Sequence, residues 1–192
     1  MIAYLLASLP TPRLTEPPPI EPASFAERCR GFVSEERWQD LVELLGSEAQ
    51  DASAAGPTPS DRSQPDRQRD PVTRAWRDLS DQIDDAVAVH RAANARRDPT
   101  PYLRRPSGFR VDVAAAVETA FALPNPGGRE RALDELRWRL ADELALRELD
   151  GFAALFARAV QLRLAWRWAS WQAEAGWAAL EANLRQLEAP HA

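Results

Sequence analysis

The stretch from Asn125 to Leu187 constrains the fold more than any other part of the chain. Its first part carries leucines three or four residues apart, the spacing of one helix face: Leu133, Leu136, Leu140 and Leu144. After a break at Asp150-Gly151, a second apolar stripe follows: Phe152, Leu155, Phe156, Val160, Leu164, Trp168 and Trp171. Large apolar residues continue at similar spacing beyond it: Trp177, Leu180, Leu184 and Leu187. The pattern predicts a long C-terminal helical hairpin whose second helix runs for about 35 residues, or roughly 50 Å.

Shorter helices are predicted upstream of the hairpin, and together they make the chain an all-α helical bundle. Capping residues and apolar spacing place these helices at 25–32, 35–45, 70–97 and 112–123. The apolar run at 1–10 ends at a proline and predicts a short extended N-terminal segment, buried as a strand or extended chain. Residues 47–69 contain no large apolar side chain, which predicts a flexible, disordered linker within a single helical domain of 1–192.

The residue inventory offers little catalytic chemistry. All 24 basic residues are arginines, so a phosphate-binding loop with its lysine and Schiff-base chemistry are both excluded. Cys29 is the only cysteine, and its helical surroundings indicate a buried small apolar side chain. His90 and His191 are the only histidines, too few for a zinc site with one cysteine. We therefore expect no catalytic residue, no cofactor, no metal and no small-molecule substrate.

Charge is concentrated in one segment. The chain carries a formal net charge of −5, which disfavours general nucleic-acid binding. Residues 91–110 nevertheless hold a cluster of arginines against the single acid Asp98: Arg91, Arg96, Arg97, Arg104, Arg105 and Arg110. This cluster is either solvated loop charge or a patch that docks onto an acidic, anionic partner protein.

The tryptophans are either core residues or interface residues. Five of the seven lie in the C-terminal hairpin. Trp166 and Trp168 differ by about 200° around the helix axis, so either the helix is covered on two sides or one indole is exposed. Tryptophan and arginine are favoured anchors of protein interfaces. The candidate interface residues are Arg137, Trp138, Arg139, Arg163, Trp166, Arg167, Trp168, Trp171 and Trp177.

Two segments, covering about half the chain at its two ends, resemble a bacterial family encoded among V/A-type rotary ATPase genes. The first is YLLASLP at 4–10, followed by EPPPI at 16–20 and the helices of 25–45. The second is ERALDELRW at 130–138, followed by DEL at 142–144 and the long helix after it. That family is distantly similar to the socket protein of the ATPase, an all-helical component that joins the central stalk to the membrane rotor ring. The socket protein is longer and has repeated helical units, so this chain has room for less.

The resemblance implies a non-catalytic accessory or central-stalk-like subunit. Its partners would be other stalk or rotor subunits of a V/A-type ATPase, and the protein would be cytoplasmic and peripheral to the membrane through them. No stretch of the sequence reaches the ~18 apolar residues of a membrane helix, so no direct membrane span is expected. The alternative hypothesis is a free-standing helical adaptor or regulator that docks an acidic protein through the arginines at 91–110.

Overall fold

The computed structural model describes residues 1–46, 69–104 and 106–171. These residues form seven α-helices and one short 3-10 helix, Thr100–Tyr102, and contain no strand. The helices are α1 (Ile2–Ser8), α2 (Pro22–Cys29), α3 (Glu35–Gly46), α4 (Pro71–Ala95), α5 (Val111–Phe121), α6 (Pro126–Ala145) and α7 (Phe152–Ser170). The predicted all-α helical bundle is confirmed.

The N-terminal residues form helix α1, so the predicted short extended N-terminal segment is wrong. Leu5 and Leu9 lie four residues apart and are both buried, and the Leu9 N–H donates to the Leu5 carbonyl at 3.0 Å. Helix α1 contacts α7, and both leucines belong to the core cluster that includes α7. Burial of one helical face against α7 stabilises the helix and outweighs any weak local preference of this short apolar run for extended backbone. Extended backbone begins only at Leu9, whose ψ is 135°.

Helix α2 begins and ends three residues before its predicted bounds. It starts at Pro22 rather than Phe25 and ends at Cys29 rather than Phe32. The fixed φ of proline suits the first turn of a helix, where its missing N–H has no partner to lose. Pro22 therefore marks the first residue of α2 better than Ser24, the predicted capping residue, does.

Helices α3 and α4 begin where the capping residues predict. The Ser34 hydroxyl accepts a hydrogen bond from the Arg37 N–H at 3.5 Å. Asp70 Oδ1 accepts one from the Val72 N–H at 2.8 Å, and Pro71 is the first helical residue of α4. Both side chains satisfy amide groups that a helix leaves unpaired in its first turn.

The predicted linker at 47–69 lies outside the described residues except for its last residue. The Arg69 guanidinium donates to both carboxylate oxygens of Glu43, at 2.7 and 3.1 Å, and lies 3.5 Å from the Asp40 carboxylate. The Thr73 hydroxyl donates to the same Asp40 carboxylate at 2.7 Å. The prediction of disorder is therefore wrong for Arg69, because its ion pairs with Glu43 and Asp40 connect the residues just before α4 to α3.

Helix α7 is the central helix of the fold and contacts α1, α2, α3, α4 and α6. Its buried side chains lie on every side of the helix, as expected where neighbours surround it. They are Phe152, Ala153, Leu155, Phe156, Ala157, Ala159, Val160, Gln161, Leu162, Leu164 and Ala165.

Helices α6 and α7 form the predicted C-terminal hairpin and run antiparallel. Gln161 Nε2 donates to Asp142 at 2.6 Å, and Trp168 Nε1, further along α7, donates at 2.8 Å to Asp134, which lies earlier in α6. The second helix is shorter than predicted: it ends at Ser170, because Trp171 has a non-helical ψ of 87°. The rest of the predicted helix, at 172–187, lies outside the described residues.

Buried apolar side chains form two clusters that share helix α6. The larger cluster joins α1, α2, α3 and α7 to Ala141 and Leu144 of α6. The second joins α4 and α5 to Leu133, Leu136 and Leu140 of α6. All four leucines of the predicted α6 stripe are buried, and Trp76 of α4 packs against both clusters. Helix α6 is thus covered on two faces.

Candidate interaction surfaces

A fully buried carboxylate organises the end of the hairpin where α7 finishes. Asp134 of α6 has no exposed surface and accepts hydrogen bonds from three side chains. Arg137 Nη1 donates to it from the next turn at 2.8 Å, and Trp168 Nε1 donates from α7 at 2.8 Å. The Arg167 guanidinium also contacts the same carboxylate. A buried charge needs this kind of pairing, because its desolvation is costly.

Trp171 lies beside this arrangement and is largely exposed. Its ring packs edge-on against Trp168, with the two centroids 4.9 Å apart. The Arg131 guanidinium lies 5.7 Å from the Trp168 ring, within cation–π range. Trp171 is 61% exposed, whereas Trp168 is only partly exposed. We call this surface, made of Arg131, Arg167, Trp168 and Trp171, the Trp171 patch.

The other predicted interface residues are dispersed. Trp166 points away from Trp168 and donates to the Glu21 carboxylate at 3.1 Å, so α7 has neighbours on both sides. Trp138 is half-buried against the larger core cluster. Arg139 is exposed on α6, 4.0 Å from Glu143.

The remaining two candidates lie in different settings. Arg163 is part-buried, and its guanidinium donates to the Leu44 carbonyl at 3.4 Å. Trp177 lies outside the described residues. Of the nine predicted interface residues, the structure therefore brings Arg137, Arg167, Trp168 and Trp171 together.

Two arginines of the 91–110 cluster are used within the fold. The Arg104 guanidinium contacts Asp84 and lies 3.2 Å from the Asp81 carboxylate, and its backbone N–H donates to Asp85 at 2.7 Å. These bonds hold the loop after α4 against the acidic face of that helix. Because the Arg104 charge is already paired with carboxylates of α4, it would attract an acidic partner less strongly than an unpaired arginine would.

Arg110 is also paired, and it links α5 to α6. Its guanidinium lies 2.6 Å from the Asp112 carboxylate and 2.8 Å from that of Glu143. The hydrogen bond from Arg110 lowers the pKa of the Asp112 carboxyl. Arg104 and Arg110 are therefore paired within the fold, and their place in the predicted anionic-partner patch stays a prediction.

The other arginines of the cluster are open or undescribed. Arg91, Arg96 and Arg97 are exposed and make no ion pair with any residue that the structure describes. Arg96 ends α4 in the left-handed region, with φ 54°. Arg105 lies outside the described residues. Among the described arginines of this cluster, the unpaired positive charge thus lies at the C-terminal end of α4.

Reactive and metal-binding groups are sparse where the structure describes the chain. Cys29 is fully buried, and burial raises the pKa of its thiol to about 12. The His90 ring packs against Phe121, with the centroids 4.3 Å apart. Among residues 1–46, 69–104 and 106–171, no group of three or more metal-ligating side chains comes together. None of the described helices has the length and apolarity needed to cross a membrane.

The candidate residues predicted from the sequence did not include Asp134, the buried carboxylate that Arg167 and Trp168 of the Trp171 patch contact. Asp134 follows Leu133 and lies seven residues before the fully buried Ala141, two helical turns along the same face. An aspartate on that alanine face, preceding an arginine three residues later, was the available signal.

Comparison of the chain with protein families, with curated proteins and with solved structures finds no match.

Proposed function

We propose that this protein is a non-catalytic helical subunit of a V/A-type rotary ATPase, which binds a stalk or rotor subunit through the Trp171 patch. The observation that carries the proposal is the exposed Trp171 indole, held against an indole that is itself anchored on a buried carboxylate. The identity of the complex rests on the resemblance to the ATPase-associated family of the segments within 4–45 and of 130–144 with the long helix that follows.

The geometry of the patch supports a binding role. Tryptophan and arginine dominate the binding energy of many interfaces, and anchors held in one conformation bind with a smaller loss of entropy. Hydrogen bonds to Asp134 restrain Trp168, and the packing of Trp168 restrains Trp171. The flanking Arg131 and Arg167 can pair with carboxylates at the rim of a partner.

The alternative function, an adaptor for an acidic protein, has narrower support. Among the described residues, its charge would come from Arg91, Arg96 and Arg97, since Arg104 and Arg110 are paired within the fold. The two functions differ in salt dependence. Binding through exposed charges weakens strongly at about 0.5 M salt, whereas binding through a buried indole persists.

The test is affinity purification of the tagged full chain from gently solubilised membranes, at low salt and at about 0.5 M salt, with partners identified by mass spectrometry. We expect stalk or rotor subunits in a fixed ratio at both salt concentrations. Recovery of the chain alone would overturn the proposed function. Recovery of unrelated acidic proteins only at low salt would favour the adaptor.

A further inference from the structure

A groove of about 510 Å³ follows helix α4 over its second half. It begins at Asp84, runs past Arg91 to Ala95, and is bordered by Arg97 and Tyr102. Between the charged side chains, its lining from α4 is small and apolar: Val87, Ala88, Ala92 and Ala95. Small side chains on one helix face let another segment approach closely. We call this surface the α4 groove.

The charge of the α4 groove is positive. Arg91 and Arg97 are exposed and have no acidic partner among the described residues. The one acid in the lining, Asp84, is in contact with Arg104. A segment that combines an apolar face with carboxylates is therefore complementary to this groove.

The chain leaves the described structure beside one end of this groove. Arg167, in the last turn of α7, lines a cavity of about 320 Å³ together with Asp84 and Ser80 of α4. Asp84 also lines the start of the α4 groove. Trp171, the last described residue, follows Arg167 by four positions. The last described residue is thus about one helical turn beyond Arg167, which shares a cavity with Asp84 at the start of the groove.

The sequence that follows has the complementary chemistry. Residues 172–192 carry the glutamates Glu174, Glu181 and Glu188 against one basic residue, Arg185. They also carry the apolar series Trp177, Leu180, Leu184 and Leu187. The 84–95 part of α4 spans about 17 Å, and a helix of 21 residues would span about 32 Å, so the segment has the length required.

We propose that the α4 groove is the docking site of the chain's own C-terminal segment, residues 172–192, whose glutamates pair with Arg91 and Arg97. Covalent connection favours this occupant over a separate molecule, because a short tether gives an effective concentration on the order of millimolar. The inference goes beyond the proposed function, since it concerns a different surface from the Trp171 patch.

Charge reversal with hydrogen exchange of the full chain tests this proposal. The variants are Arg91→Glu with Arg97→Glu, Glu181→Arg with Glu188→Arg, and the combination of all four. We expect exchange at 172–192 to become about ten-fold faster in either double variant and to recover in the combination, where each pair has opposite charges again. Arg28→Glu with Arg147→Glu reverses two exposed arginines elsewhere and leaves exchange unchanged.

Three results would overturn docking within one chain. The first is the absence of a docking signal: either the amides of 172–192 are unprotected from exchange in the wild type, or the double variants change their exchange rate no more than the control does. The second is a combination that fails to recover. The third is protection that rises with protein concentration alongside a dimer mass by light scattering, which assigns the groove to a second copy. ATPase subunits are absent from this assay, so its outcome is separate from that of the proposed function.

Discussion

Removing the Asp134 carboxylate should destabilise the protein more than any other single change on the polar side of the hairpin. The variant is Asp134→Ala. It removes the shared acceptor of Arg137, Arg167 and Trp168 and leaves two guanidiniums near each other without their counter-ion.

The expected loss in the free energy of unfolding follows from the burial of the Asp134 carboxylate. Removing one partner of a fully buried ion pair costs about 3–5 kcal/mol. The side chains of Arg137 and Arg167 are 23% and 39% exposed, so both can turn partly into water and recover hydration. The free energy of unfolding should therefore fall by about 2–3 kcal/mol, which for a chain of this size lowers Tm by about 4–12 °C.

The assay is urea denaturation followed by circular dichroism and by tryptophan fluorescence, with Tm from calorimetry. Asp134→Asn keeps the shape of the side chain and one oxygen that accepts from the Trp168 indole. Its free energy of unfolding should therefore fall less than that of Asp134→Ala. The matched control is Glu135→Ala, which removes the neighbouring carboxylate; this one is 59% exposed, and among the described residues it pairs only with Arg131. The control should change stability by less than about 0.5 kcal/mol.

Equal stability of Asp134→Ala and Glu135→Ala would refute the reasoning, because the buried carboxylate would then contribute no more than a surface one. A loss in Asp134→Asn as large as that in Asp134→Ala would assign the stabilisation to the negative charge alone.

Three further predictions concern the core. Thr73→Val removes the hydrogen bond to the buried Asp40 carboxylate and should cost about 1–3 kcal/mol in urea denaturation; an unchanged midpoint would contradict it. Leu140→Ala empties a fully buried position between α6 and its neighbours and should cost about 2–5 kcal/mol, against less than about 1 kcal/mol for the exposed Leu146→Ala. Cys29 should react with a thiol reagent at pH 8 only after unfolding. Because its folded-state pKa is raised to about 12, its contribution to stability is complete below an unfolded pKa of about 8.5 and is lost as pH rises from there toward 12. Cys29→Ala should remove that alkaline loss, and rapid labelling of the native protein would contradict the burial.

Local signals in the sequence predicted most helices because the decisive groups are close in the chain. A capping side chain and the amide it serves are two or three residues apart, as at Ser34 and Asp70. The α6 leucines repeat within one helix, so their shared face follows from periodicity alone. Helix α1 was missed because its stability depends on packing against α7, which is distant in sequence.

The candidate site was only partly predictable for the same reason. Trp168 and Arg167 were identified as functional candidates by residue type, but their common partner Asp134 is 34 and 33 residues away, respectively. Even with the alanine face of α6 as a signal, the burial of Asp134 follows only once the pairing of α6 with α7 is known. Arg104 and Arg110 are the opposite case, because they were candidates for binding a partner and instead pair within the fold. Arg104 pairs with α4 and Arg110 with α6, and composition alone does not predict either contact.

Whether Trp171 anchors a partner subunit is tested by comparing three forms of the protein. Tagged wild type, Trp171→Ala and Tyr4→Ala are purified from gently solubilised membranes, and the recovered ATPase subunits are quantified by mass spectrometry. Tyr4 is the matched control, because it is an exposed aromatic residue on α1, 76% exposed against 61% for Trp171.

We expect Trp171→Ala to recover at least about ten-fold less of the stalk or rotor subunits while its free energy of unfolding changes by less than about 1 kcal/mol. Tyr4→Ala should recover the subunits as the wild type does. If Trp171→Ala recovers them equally well, or fails to fold, then Trp171 is not the anchor of the interface.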